Sequence, residues 1–302
     1  MQLVDFGIDD DEGAQETIDA IDEEVASMIG MDNIKAFFAQ VRKKVQYVQA
    51  GGQPQVLRTC LNMVVTGNPG TGKTTFARLL FRFLRAYGVL KKDNFVECNA
   101  LELKGKYLGQ TCGNVRSIVQ SALGGCLFLD EAYALAGDGR ADAFSNEAIR
   151  TLLTEVENNR TGLLVVLAGY QDKMKLLMQA DPGMPRRFPQ TLHLADYTPQ
   201  QLASISIKVA DERFGMSFED GLRARLAQHF ADNYTAAIPK QNGGLAVNVV
   251  ENATACLVER IMERSQAAAA LQADAGEVEG FGINLQDDEC KVLVAADFGI
   301  RS

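Results

Sequence analysis

The chain is 302 residues long, 47% hydrophobic and 23% charged, a composition that excludes wholesale disorder and supplies enough apolar chain for two cores. Its 39 acidic side chains outnumber 30 basic ones, for a formal charge of −9. Ten of the acids crowd into residues 1–24, which hold no Lys or Arg, so the rest of the chain carries 29 acids against 30 bases and lacks the positive excess of a dedicated nucleic-acid binder.

Taken in chain order, residues 1–24 read as a solvated acidic segment, partly helical from Thr17 onward. From Met31 the apolar positions Ile34, Phe37, Phe38, Val41, Val45 and Val48 keep helical spacing until Gly51-Gly52. Residues 61–66 then form a short β-rich run, followed by a glycine loop and a helix over 73–87. Arg78, Arg82 and Arg85 share one face of that helix and read as solvated, with an acidic partner or the chain's own leader as the alternative. Further short apolar runs at 94–99, 126–130, 163–169 and 191–194 alternate with helical stretches at 113–123 and 146–158. Such alternation predicts an α/β fold with a parallel sheet covered on both faces.

After Asp196 the alternation stops. Thr198-Pro199-Gln200-Gln201 supplies an N-cap, a first-turn proline and a capping-box glutamine. Helices are expected at 217–234 and 245–265, a loop or insertion at 267–290, and a last apolar run at 292–295. The organisation expected is an acidic segment (1–24), an α/β domain (25–195) and a smaller helical domain (196–302). The apolar runs are far shorter than a bilayer span and no secretory leader is evident, so a soluble intracellular setting without a membrane partner is expected. Six scattered cysteines without a CxxC pair, and only two histidines, read as buried thiols in a reducing compartment rather than a zinc site.

The chemistry concentrates in two motifs. Gly67-Asn68-Pro69-Gly70-Thr71-Gly72-Lys73-Thr74, followed by Thr75, sits between a predicted strand and a predicted helix, the context of a phosphate-binding loop. Its glycines let backbone N–H groups point into a concave nest, and the helix N-terminus adds positive potential. Lys73 would neutralise phosphate charge, and the Thr74 hydroxyl would bind Mg²⁺. Cys126-Leu127-Phe128-Leu129-Asp130-Glu131 is an apolar run ending in two acids, which a buried strand would deliver at the sheet's carboxyl edge. Asp130 would complete the Mg²⁺ shell and Glu131 would orient or deprotonate water. An Asp-Glu pair suits hydrolysis better than transfer to an acceptor, which would need a second substrate site.

These motifs together resemble an AAA+ ATPase, a P-loop NTPase fold with the helical C-terminal part as lid. Lys104-Gly105-Lys106-Tyr107-Leu108-Gly109-Gln110-Thr111, Ala132-Tyr133 after the Asp-Glu pair, Glu157-Asn158-Asn159-Arg160, Leu167-Ala168-Gly169-Tyr170 and Asp181-Pro182-Gly183-Met184-Pro185-Arg186-Arg187-Phe188 resemble the branch of CbbX (CfxQ) and stage V sporulation protein K. That resemblance implies ATP and Mg²⁺ as cofactors. It makes Tyr107-Leu108-Gly109 a pore loop that grips a polypeptide, and Arg187, with Arg186 as fallback, an arginine finger reaching a neighbour's ATP. It also places Ile29-Gly30 against the adenine. It implies a hexameric ring, alone or with a paralogue, that pulls on a protein client.

Within the branch the likeness is to CbbX, the red-type Rubisco activase, with the Rubisco large subunit as client and the plastid stroma or the cytoplasm as compartment. No arginine occurs from Gln241 to Glu259, where family lids present one to the γ-phosphate. A weakly hydrolysing ATP-binding scaffold, or a regulatory subunit of a mixed ring, is therefore the alternative. A clamp-loader role is disfavoured by the neutral body and the pore-type Tyr107.

Overall fold

The computed structural model describes residues 12–53, 55–57, 62–105, 110–136, 143–160, 162–275 and 288–300. They fall into two compact units. The first runs to Asn68 and resumes over Gly72–Ala195, and the second joins Pro69–Thr71 to Asp196–Ser302.

In the first unit, helices α1 (Glu12–Ser27) and α2 (Asp32–Gln49) precede β1 (Asn62–Gly67), α3 (Lys73–Ala86), β2 (Phe95–Asn99), α4 (Gln110–Ala122) and β3 (Cys126–Asp130). Then come α5 (Ala143–Asn158), β4 (Leu164–Gly169), α6 (Gln171–Ala180), the single turn α7 (Met184–Arg187) and β5 (Gln190–Leu194). The five strands form one parallel sheet in the order β2-β3-β4-β1-β5. Every strand run read from the sequence takes its place there.

The period-two pleat of each strand sends alternate side chains to opposite faces, so a strand buried on both sides must be apolar throughout. Met63, Val65, Cys126, Phe128, Leu164 and Val166 join one core with Ile34, Phe38 and Val41 of α2 and Phe76, Leu80 and Phe83 of α3. Val64, Leu127, Leu129, Val165 and Leu167 join the other with Val115 and Val119 of α4, Leu152 and Val156 of α5, and Leu177 of α6. Each fully buried side chain of this size contributes about 1.5–3 kcal/mol.

Three expectations change here. The acidic leader is not wholly solvated: α1 is helical from Glu12, and Ile21 and Val25 are buried in the first core. Asp22 of that helix pairs with Arg42, and Glu24 pairs with Arg82 at 2.6 Å. The arginines of α3 stay about half exposed yet are partnered, Arg78 to Glu97 at 2.5 Å and Arg85 to Asp93 at 2.7 Å. Exposed pairs of this kind contribute at most about 1 kcal/mol each, so apolar burial, not charge, docks the leader helix. Among the described cysteines only Cys98 and Cys126 are buried; Cys112 and Cys290 are half-buried and Cys256 is exposed.

The second unit is built on α8 (Pro199–Phe214), β6 (Ser217–Phe218), α9 (Leu222–Asn233), α10 (Ile238–Gln241), α11 (Gly243–Ala275) and β7 (Val292–Leu293). Helix α8 opens on the predicted capping box: the Thr198 hydroxyl accepts from the Gln201 N–H, and the Gln201 side chain accepts from the Thr198 N–H. The single helix expected over 217–234 is instead the strand β6 followed by α9. Gly221, at φ 77°, breaks the segment, and β6 pairs in parallel with β7. Helix α11 continues to Ala275, past its expected end at 265 and into the predicted loop. Leu202, Leu226, Phe230, Leu245, Val250, Leu257 and Leu293 form the core. Among the described residues no helix is long and apolar enough to cross a membrane.

Candidate active site

Strands β1 and β3 flank β4, so the glycine loop and the Asp130-Glu131 pair both leave the carboxyl edge of the sheet two strands apart. In the loop, Gly70 and Gly72 take φ of 72° and 88°, the left-handed region where a side chain is strained. Gly72 is the N-cap of α3 and offers no side-chain cap, so the first-turn N–H groups are left facing an incoming anion. The Lys73 ammonium donates to Gly67 O at 3.0 Å and Asn68 O at 2.9 Å. Burial pulls it below its ordinary pKa, and the Asp130 carboxylate opposes that shift. Thr71 is buried, Thr74 half-buried and Thr75 exposed.

Within the second unit, the loop tip is held by Asn242, a buried residue at φ 45°. Its Nδ2 donates to Pro69 O at 3.0 Å and to Asp196 Oδ1 at 2.9 Å, and its Oδ1 accepts from the Tyr197 N–H at 3.0 Å. The Gly243 N–H donates to Gly70 O at 3.0 Å. A Cβ on Gly70 would lie 2.0 Å from Gln241 O, so the tip requires glycine on steric grounds as well.

At the end of β3, Asp130 Oδ1 accepts from the Glu131 N–H at 2.9 Å. Glu131 itself sits at φ 49°, a conformation that costs a non-glycine residue on the order of 1–3 kcal/mol and persists only where surrounding contacts hold it. Those contacts are visible. Asn99, in register with Asp130 across the β2–β3 pair, donates from Nδ2 to Glu131 Oε2 at 3.1 Å. The Tyr133 hydroxyl, on the one-turn 3-10 helix Ala132–Ala136, donates to Glu131 Oε1 at 3.0 Å.

The Tyr133 ring lies 5.6 Å from that of Tyr170, the N-cap residue of α6, and the Lys173 ammonium stands over it at 4.4 Å. Burial first, then the hydrogen bond to Glu131 and the nearby negative charges, push the Tyr133 phenol up to about 12. Asn99, Tyr133, Tyr170 and Lys173 were not among the residues singled out from sequence as the site. The sequence motifs contain Tyr133 and Tyr170 without indicating that either stands beside Glu131.

Arg187, in α7, is half-buried with Nε 3.3 Å from Glu157 Oε2, an ion pair without hydrogen-bond direction. Glu157 also pairs with Arg160, and Arg186 is exposed. Ile29 and Gly30 occupy the turn between α1 and α2, with Met28 and Met31 packed on the first core. Tyr107, Leu108 and Gly109 lie outside the described residues.

The donor set fits a magnesium–triphosphate. A glycine nest and an uncapped helix N-terminus present N–H groups, a half-buried ammonium now rests on two neutral carbonyls, and a hydroxyl and a carboxylate supply hard oxygen ligands.

Residues 63–195 match the ATPase family associated with various cellular activities (AAA). The chain is 33% identical over 251 residues to stage V sporulation protein K of Bacillus subtilis, a match covering 82% of this chain and 77% of that protein. It is 32% identical over 278 residues to the ESX-3 secretion system protein EccA3 of Mycobacterium tuberculosis, covering 91% of this chain but 44% of that protein. The ESX-1 secretion system protein EccA1 of the same organism is 32% identical over 266 residues, 85% of this chain and 46% of its own length. The chain therefore spans less than half of the secretion-system relatives.

Proposed function

The chain belongs to the AAA family of ATPases, in the group that includes stage V sporulation protein K and the EccA proteins, and from that premise we propose a Mg²⁺-dependent ATP-hydrolysing ring motor that remodels a protein client. The observation that supports hydrolysis most directly is Glu131: a carboxylate at the carboxyl edge of the sheet, locked at both oxygens, one residue past the strand that delivers Asp130. We take residues 25–195 as the nucleotide-binding domain, 1–24 as its acidic leader and 196–302 as the lid.

In this reading the loop Gly67–Thr74, through its backbone N–H groups (Pro69 has none), and the Lys73 ammonium hold the phosphates, while Thr74 and Asp130 hold Mg²⁺. The metal supplies charge neutralisation at the phosphate oxygens. Glu131 accepts the proton of the attacking water as general base. Ile29-Gly30 lie against the base, and Thr75 extends the loop's polar lining. Arg187 acts in trans, so activity depends on assembly, and the Glu157–Arg187 pair must open for that reach. Tyr107-Leu108-Gly109 grips the polypeptide. The relatives are named for sporulation and for secretion, so the Rubisco large subunit as client rests on the sequence resemblance to CbbX alone.

The test is steady-state ATPase of the wild type against Glu131→Gln. A wild-type rate well above background that the substitution removes supports the motor. Equal rates near zero favour the second reading, an ATP-binding scaffold or regulatory subunit, whose motivation is the absence of arginine from Gln241 to Glu259. Pull-down with the Glu131→Gln trap and ATP would then identify the client.

A further inference from the structure

General-base catalysis needs the carboxylate in one orientation, because a base that rotates freely spends most of its time unable to reach the water. Glu131 is pinned from two sides by side chains on different elements. Asn99 also accepts from the Leu101 N–H at 2.9 Å, capping the next 3-10 turn, so part of its role is structural. Tyr133 is different: among the described residues its hydroxyl bonds to Glu131.

The surroundings fix where that hydroxyl points. Gly169 closes β4, and a Cβ there would meet Tyr133 Cδ1 and Met174 Sδ, each at 2.8 Å, so the absence of a side chain at 169 lets the ring lie against the end of the strand. The Tyr170 ring lies 5.6 Å from it and the Lys173 ammonium 4.4 Å from its centre. The Lys73 ammonium lies 6.0 Å from the Tyr170 ring centre, which brings this aromatic pair to the phosphate-binding loop.

We propose that Tyr133 is a positioning residue for hydrolysis: with its ring set against Gly169 and Tyr170, its hydroxyl fixes the Glu131 carboxylate in the orientation that receives the proton of the attacking water. This rests on Glu131 being the base. It assigns to the tyrosine pair at the ends of β3 and β4 the ordering of the water side of the site.

Tyr133→Phe removes one oxygen and keeps the ring contacts. A donor to a charged group is removed, and turnover number falls about tenfold while KM for ATP and the affinity for a non-hydrolysable ATP analogue stay within about twofold. On a Glu131→Gln background the same substitution has no further effect, because the group it orients is no longer a base. Gly169→Ala, which drives the ring off the strand end, reproduces the loss in turnover with the same unchanged analogue binding.

Wild-type turnover in Tyr133→Phe overturns the proposal, as does an undiminished Tyr133→Phe effect on the Glu131→Gln background. If Glu131→Gln itself hydrolyses ATP at the wild-type rate, the assignment of the base fails first, and that result is separable from a silent Tyr133→Phe in a protein where Glu131→Gln is dead. Should Tyr133→Phe not fold, by loss of analogue binding, Gly169→Ala decides on the same two readouts.

Discussion

Lys73 and Glu131 leave the same edge of the same sheet, yet they are held in opposite ways. Lys73 rests on carbonyl oxygens of its own loop, five and six residues away, in a cradle shaped by glycine backbone. Glu131 is held by side chains from Asn99 and Tyr133, one of them 32 residues away and brought in only by the pairing of β2 with β3. A backbone cradle tolerates changes in neighbouring side chains but not in its glycines. A side-chain clamp can be loosened one donor at a time. Binding should therefore fail abruptly, at Lys73 or the loop glycines, whereas turnover should be tunable in steps.

The largest expected effect breaks the side-chain half outright. Glu131→Gln keeps size but removes basicity and turns one acceptor oxygen into a donor, and turnover falls by on the order of 10²–10⁴ with ATP binding retained, read by single-turnover hydrolysis beside analogue titration. Next is Lys73→Ala, which removes charge-assisted contacts to phosphate of about 1.5–3 kcal/mol and weakens ATP binding by roughly ten- to a hundredfold. Lys73→Arg does not restore it, because a planar guanidinium cannot replace a compact ammonium in that nest. Gly70→Ala tests the backbone half directly: a Cβ would sit on the Gln241 carbonyl, at a φ of 72°, and folding stability falls by about 1–3 kcal/mol in a denaturant titration. A stable, fully binding Gly70→Ala protein would mean the cradle is not glycine-built, and the contrast with Glu131 would collapse.

The same contrast explains what the sequence disclosed. The loop was legible because its chemistry lies in local backbone, and glycine spacing records backbone directly. The strands were legible for a related reason: burial on both faces leaves each one a continuous apolar run, as in Leu164–Gly169. Asp130 and Glu131 were legible as residues, but their holders were not, since Asn99, Tyr133 and Tyr170 meet through strand register and strand ends that no local pattern encodes.

The leader was misread for another reason. Ile18, Ile21 and Val25 keep helical spacing, a signal that was present but lost among ten carboxylates. The break at Gly221 was likewise present as a lone glycine inside an apolar segment. Asn242 carried only a turn signal, as the first residue of Asn242-Gly243-Gly244 between two expected helices; that its side chain bonds Pro69, Asp196 and the Tyr197 backbone no local pattern encodes.

Smaller effects sharpen the stepwise behaviour of the clamp. Asn99→Asp keeps the acceptor that caps Leu101 but replaces the donor on Glu131 Oε2 with a like charge, so turnover falls about tenfold while thermal stability changes little. A large loss of stability instead would place Asn99 with the scaffold rather than the clamp.

The smallest effect belongs to Lys173, which touches Glu131 only through Tyr133. Its ammonium stands 4.4 Å from the Tyr133 ring centre and 5.4 Å from that of Tyr170, and the residue is exposed. An exposed cation over an aromatic face contributes about 0.5–1 kcal/mol, which corresponds to at most roughly fivefold. Lys173→Ala should therefore lower turnover by no more than that, leave analogue binding unchanged, and have no effect once Tyr133 is Phe, because the lysine acts by holding a ring whose hydroxyl is then absent. Lys173→Met, which keeps the aliphatic stem against the rings without the charge, separates packing from cation attraction. A Lys173→Ala loss larger than that of Tyr133→Phe would reverse the order of the layers and show that the lysine reaches the phosphates directly.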